Sequence, residues 1–202
     1  MRRRRNGLIL FLSIAAAVGA DNSKRFEPGP AASYPARQTL EQLTIAADPF
    51  ATEAKTRQAF GKLNPNRYGV LPILVVMQNE GPQALSLETM RLEYVTAEGQ
   101  RIEATPASEV RYAAGLRRPD LVPGPLPPLP GRSSRRKNPL DVWEIEGRAF
   151  VAKMLPPKES AGGFFYFQAP HRPGAKLVIS GIRVAATGKE LFFFEIPLDA
   201  AH

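Results

Sequence analysis

The sequence predicts a mainly β fold, an antiparallel β-sandwich with one or two short helices and a long Pro-rich basic insertion. Three observations carry this expectation. Apolar runs such as residues 70–78 (VLPILVVMQ) and 163–168 (GFFYFQ) are rich in β-branched and aromatic residues. Turn chemistry separates the runs, as in Asn79-Glu80-Gly81-Pro82 and Pro156-Pro157-Lys158-Glu159-Ser160. Residues 90–96 alternate, with Met90, Leu92 and Tyr94 on one face and Arg91 and Glu93 on the other, which is the period of a half-exposed strand.

The N-terminus reads as an export signal. Arg2, Arg3, Arg4 and Arg5 precede an apolar run over residues 8–18, and Val18-Gly19-Ala20 offers small residues for cleavage after Ala20. The run is shorter than the roughly 20 apolar residues a spanning helix needs. Residues 1–20 are therefore expected to be a signal peptide, and the protein periplasmic or secreted. Retention as an N-terminal anchor is the alternative, and only then is membrane contact expected. Arg4-Arg5 leaves a twin-arginine route open. The absence of Cys after the run excludes a bacterial lipoprotein.

The formal net charge of +8 is unevenly placed. Without Arg2 to Arg5 the chain holds 23 basic and 19 acidic residues, a balance of +4. Within residues 117–137, Arg117, Arg118, Arg132, Arg135, Arg136 and Lys137 stand against Asp120 alone, a balance of +5. Taking +5 from +4 leaves the rest of the mature chain at −1. A basic patch confined to one segment argues against a general nucleic-acid-binding domain. It points instead to a protein with an acidic surface or to an anionic envelope component, with those six residues as the candidate binding set. The same segment contains residues 121–130 (LVPGPLPPLP), which favour extended polyproline conformation and could also suit a proline-binding groove. The plain alternative for residues 114–138 is a solvated, flexible insertion.

Residues 21–40, with Pro28, Gly29, Pro30 and Pro35, read as a disordered lead-in, and residues 41–200 as one sandwich domain. A first strand is expected over 43–47. Asp48-Pro49 suits a helix start, and residues 51–60 a short helix ended by Gly61 and Pro65. Residues 70–78, apolar on both faces, should be buried on both. Residues 90–96 and 101–104 should form a hairpin across residues 97–100. A helical turn is expected from Asn138-Pro139 through Trp143, and a strand over 149–155. Residues 177–184 and 191–197 should close the fold as a hairpin across residues 186–189.

One group of these features resembles a family. Asn79-Glu80-Gly81 closes an apolar strand, and Leu155-Pro156-Pro157-Lys158-Glu159-Ser160 precedes GFFYF. These resemble immunoglobulin-like domains of bacterial exported proteins, in which a strand ends at Asn-x-Gly and a Leu-x-Pro-Gly-Glu type of turn precedes an aromatic strand. Lys158 stands where such turns often have Gly. Ala46-Ala47-Asp48-Pro49-Phe50, Ala59-Phe60-Gly61 and Gly69-Val70-Leu71-Pro72 are similar to a group of uncharacterised bacterial exported proteins. The resemblance spans roughly residues 43–198. It implies an immunoglobulin-like sandwich and an exported location, and no activity or site residues.

Residue types for chemistry are few. Zero Cys removes disulfides, thiol catalysis and Cys-based metal sites. His171 lies in a Pro-flanked loop and His202 is the last residue, so a zinc site would need carboxylates at unfavourable spacing. No Gly-x-Ser-x-Gly elbow accompanies His171. Residues 181–189 do not keep the phosphate-loop spacing, and Glu190 occupies the Ser/Thr position. Glu144, Glu146, Glu159 and Glu190 are candidates for a carboxylate pair by type alone. No cofactor is implied, and a non-catalytic interaction or structural module is expected. Phe164, Phe165, Tyr166 and Phe167, with Phe192, Phe193 and Phe194, leave a second reading open, a carbohydrate- or lipid-binding face. Alternation sends half of these rings away from a sandwich core, where residues 48–60 or 138–146 are expected to cover them. A hydrolase with a carboxylate site is the remote alternative.

Overall fold

The structure is a computed structural model that describes residues 26–113, 138–140 and 143–199. Its strands are β1 (Arg37–Leu40), β2 (Leu43–Pro49), β3 (Leu71–Asn79), β4 (Leu85–Ser86), β5 (Arg91–Val95), β6 (Arg101–Glu103), β7 (Met154–Leu155), β8 (Ser160–Phe167), β9 (Lys176–Ser180), β10 (Arg183–Val184) and β11 (Phe194–Pro197). The helices are α1 (Glu53–Phe60) and α2 (Trp143–Gly147), with 3₁₀ turns at Ala31–Ser33, Pro65–Tyr68 and Ala107–Tyr112. Two four-stranded antiparallel sheets, β1-β2-β3-β8 and β11-β9-β5-β6, face each other, and a three-stranded sheet β10-β4-β7 lies beside them. The fold is a mainly β antiparallel sandwich, as the alternation predicts.

Odd and even residues of the first sheet serve different layers. Leu43 and Ile45 of β2, Ile73, Val75 and Met77 of β3 and Phe167 of β8 meet Leu92, Tyr94, Ile179, Phe194 and Ile196 of the second sheet in one core. Ala46, Leu74, Val76, Phe164 and Tyr166 point the other way, into a second cluster with Phe50, Ala59, Phe60, Val110, Leu140 and Ile145. Each buried Leu, Ile or Phe removes enough apolar area from water to contribute about 1.5–3 kcal/mol. β3 is buried on both faces for this reason: one looks at a sheet, the other at helices. Both expected covers, residues 48–60 and 138–146, contribute to that layer. Phe164 sits at its centre, with ring centroids 4.8 Å from Phe50 and 4.8 Å from Phe60.

Several expectations need correction. The lead-in expected over 21–40 is ordered from Phe26, and only residues 21–25 of it lie outside the described residues. Phe26 packs on Phe50 and Phe164, with centroids 5.6 and 5.8 Å away, Ala31 is fully buried, and β1 pairs with β2. The turn between β1 and β2 uses Glu41 and Gln42 at φ +45° and +64°, a left-handed conformation usually given to Asn-Gly, so turn chemistry did not reveal it. Asp48 and Pro49 end β2 rather than starting a helix. Thr52 caps α1 through Oγ1, which accepts the Lys55 N–H at 3.3 Å, while Asp48 binds the Lys55 ammonium at 2.6 Å. Of the helical turn expected from Asn138 through Trp143, Pro139 and Leu140 form a turn, residues 141–142 lie outside the described residues, and α2 is described over Trp143–Gly147. Of residues 149–155 only Met154–Leu155 form a strand, because Ala149 is diverted into a lone parallel bridge with Phe164.

The closing strands β9 and β11 pair as expected, and the hairpin runs on through the Arg183–Glu190 bridge, while the other edge of Arg183–Val184 departs from β5 to join β4 of the small sheet. Gly181 permits this departure at φ +78°, where any Cβ would strike the Thr89 carbonyl.

Candidate functional site

The six basic candidates, Arg117, Arg118, Arg132, Arg135, Arg136 and Lys137, lie outside the described residues. What the structure describes is the platform at the segment's two roots. The Ala107–Tyr112 turn leads to one root and Asn138 stands at the other. Asn138 Nδ2 donates to the Arg111 carbonyl at 2.7 Å, and its Oδ1 accepts the Leu140 N–H at 3.0 Å. The Arg111 guanidinium binds the Glu146 carboxylate of α2. Beneath these contacts Val110, Leu140 and Ile145 are buried in the helical layer. Trp143, on α2, is 66% exposed. The roots of residues 114–137 are thus brought side by side on a packed base.

His171 is drawn into a network that its sequence neighbourhood does not suggest. The Tyr94 hydroxyl of β5 accepts the Arg172 backbone N–H at 2.8 Å, so its own proton is available to His171 Nδ1 at 3.4 Å. His171 Nε2 then donates to Asp199 Oδ1 at 3.1 Å, and the other carboxylate oxygen accepts the Gly174 N–H. Burial raises the Tyr94 phenol above its ordinary range, against the Arg172 N–H bond that lowers it. Both imidazole nitrogens are engaged, so the ring pins the 170–174 loop to β5 and to the segment after β11. Asp199 and His171 share the rim of a cavity of about 340 Å³ with Asp48, itself bound to Lys55. The members of this network are 77 and 28 residues apart, and no local pattern could have joined them.

A second polar hub holds the turns that carry the family resemblance. Asn79, 2% exposed, donates through Nδ2 to the carbonyls of Gln83 at 2.8 Å and Pro156 at 3.0 Å, while its Oδ1 accepts the Gly81 N–H at 3.0 Å. Lys158 adopts φ +64°, the conformation that favours Gly at this place, and its ammonium binds the Glu80 carbonyl. Glu144 is half-buried on α2, Glu146 is bound to Arg111, Glu159 is exposed just before β8, and Glu190 is bound to Arg183 at 3.3 Å. Among the described residues no group of three or more His, Asp or Glu is placed to hold a metal ion.

The aromatic strands divide three ways. Phe164, Tyr166, Phe167 and Phe194 are buried, Phe192 and Phe193 are 71% and 57% exposed, and Phe165 is half-buried. Phe165 stacks on Phe150 with a centroid distance of 5.2 Å and an interplanar angle of 26°. Those two rings line an open cleft of about 540 Å³ between β8 and the β5-β6 hairpin.

No family model matches the chain, and comparison with curated proteins gives no match. Among solved structures, the secreted protein MPT63 of Mycobacterium tuberculosis is 12% identical, over 83% of this chain and 95% of that one, with a TM-score of 0.37. The yjhA protein of Bacillus subtilis is 10% identical, over 81% and 96%, with a TM-score of 0.38. An uncharacterised β-sandwich protein of Clostridium difficile is 10% identical, over 85% and 97%, with a TM-score of 0.31. Scores this low carry no argument about this chain, and its assignment as a β-sandwich rests on its own strand pairing.

Proposed function

We propose that the chain is an exported, non-catalytic interaction module, an immunoglobulin-like sandwich that presents a basic Pro-rich segment to an acidic protein surface or an anionic envelope component. The carrying observation is the clamp at the segment's roots, where Asn138 bonds the Arg111 carbonyl at 2.7 Å on a buried base. A segment with fixed ends loses less freedom on docking than a free tail does. Exposed Trp143 on the same platform is the residue type most often found at the energetic centre of interfaces. The signal-like N-terminus supports export. The immunoglobulin-like reading is supported by strand order: β2-β3-β8 and β11-β9-β5-β6 follow the A-B-E and G-F-C-C′ arrangement of that sandwich.

The test replaces residues 114–137 with a short Gly-Ser linker. Unfolding free energy is expected to change by no more than about 1 kcal/mol, because the roots already meet. Recovery of the acidic partner from an envelope extract is expected to be lost. Unchanged recovery would remove the basic segment from the function. A second reading, a carbohydrate- or lipid-binding face, is favoured by the exposure of Phe192 and Phe193.

A further inference from the structure

The cleft between β6 and β8 exists because the two sheets part at that flank. The only backbone link described there runs from the Thr105 N–H to the Tyr166 carbonyl, at 2.7 Å. Above it, Arg148 and Phe150 exchange backbone bonds with Phe164, at 2.8 and 3.1 Å. Gly163 makes that approach possible, since a Cβ there would lie 2.5 Å from the Phe150 Cα. These bonds occupy the outer edge of β8, so an added peptide strand has no ladder to join there. On β6, exposed Arg101 and Glu103 guard the other edge. Recognition in this cleft therefore falls to side chains.

The walls are Met90, Ala104, Phe150 and Phe165, each partly buried and packed on the sandwich core. Thr105 offers a hydroxyl, but it is engaged by Gln168 Nε2 at 3.2 Å. Met90, Ala104, Phe150 and Phe165 offer no hydrogen-bond partners, so the hydroxyls of a sugar laid along these walls would go unpaired. A volume of about 540 Å³ falls within the range of small-molecule sites, roughly 300–1,000 Å³. At the mouth stands Arg91. Neighbouring Arg101 is bound to Glu93 at 2.6 Å, whereas Arg91 has no acidic partner within 4.0 Å among the described residues. Glu103 shares the rim and repels anionic heads, a doubly charged one about twice as strongly as a single carboxylate, so the head is held on the Arg91 side of the mouth.

We propose that this cleft binds a single-chain amphiphile with a carboxylate head, of the fatty-acid type, its tail between the sheets and its head on Arg91. The site is separate from the basic segment and does not depend on that segment's docking. The test titrates the full chain with sodium dodecanoate, below its micelle-forming concentration, in a calorimeter. One dodecanoate is expected to bind per chain. Arg91→Gln, a surface change, is expected to raise Kd about tenfold or more by removing a charge-assisted bond. Dodecyltrimethylammonium, with the same tail and the opposite charge, is expected to bind at least about tenfold more weakly. Ala104→Trp fills the cleft and should abolish binding. If that variant does not fold by circular dichroism, Arg91→Gln and the ammonium probe still decide. Absence of dodecanoate binding, equal affinity for the two probes, or an Arg91→Gln variant that binds as tightly as the parent would overturn the proposal.

Discussion

Along the flank formed by β1 and β11, the Gln38 side chain crosses from one sheet to the other and accepts the Glu195 N–H at 2.8 Å, over fully buried Phe194 and Ile196. Along the opposite flank, β6 and β8 are linked at Thr105, and Phe150 and Phe165 stay half-buried against open space. β1, β11 and β6 are short and β8, with 8 residues, is long, but length is not what separates the flanks. The difference lies in what crosses. At β1 and β11 a short side chain satisfies the neighbouring strand and the core closes beneath it. At β6 and β8 the chain itself crosses at residues 104–105, where the Ala104 N–H binds the Leu92 carbonyl and the Thr105 N–H the Tyr166 carbonyl, while residues 148–150 lie along the outer edge of β8. A flank propped open in this way keeps apolar surface within reach of solvent, which is where a ligand would gain most from burial.

The largest expected effect separates the flanks directly. Phe194→Ala should destabilise the fold by about 3–5 kcal/mol, because a large ring leaves a closed core. Phe165→Ala should cost about 1–2 kcal/mol, because part of that ring already meets water. Urea denaturation of the two variants measures both, and equal losses would erase the distinction between the flanks.

The next effect concerns how the open flank is held from outside. The Tyr166 hydroxyl donates to the Ile145 carbonyl at 2.6 Å, tying β8 to α2. Tyr166→Phe should cost about 1–2 kcal/mol by leaving that buried carbonyl unpaired. Burial pushes the Tyr166 phenol well above its ordinary value of 10.0. A group whose pKa is raised by folding stabilises the native state fully below its unfolded value and loses that contribution as pH rises towards the folded value. Stability should therefore hold below pH ~10 and decline above it, and the decline should be shallower in Tyr166→Phe. Burial is also the largest cause of the upward shifts of Tyr34 and Tyr94, so an unaltered decline would assign it to them.

The smallest effect probes the crossing at the closed flank. Gln38→Ala should cost about 0.5–1.5 kcal/mol, and should speed hydrogen exchange at the Glu195 amide while leaving the Thr105 amide unchanged. Equal acceleration at both amides would mean that the flanks open together.

Much of the sandwich was legible because alternation is a local property. The run from Phe164 to Phe167 announces two faces, and Met90, Leu92 and Tyr94 announce one. Elements held by other means were not legible. β1 follows Pro-rich text and a left-handed Glu-Gln turn, so it reads as a lead-in until β2 is there to pair with it. The Asp48-Pro49 helix start is plausible locally, but seven residues of β2 register with β3 through Pro49, and the longer ladder prevails. The cleft had no signal at all, since Arg91, Ala104, Phe150 and Phe165 share neither a motif nor a period.

By itself, then, the sequence determined which segments are extended, which side chains alternate, where charge is concentrated, and that the N-terminus has the make-up of an export signal. Only the tertiary structure decided that Phe164 and Tyr166 are covered by helices, that His171 is bound by Tyr94 and Asp199, and that one flank closes while the other stays open. The physical reason is range. Period and turn chemistry act over a few residues, whereas cover and closure depend on what a remote part of the chain brings to a face, and that is settled when the sheets meet.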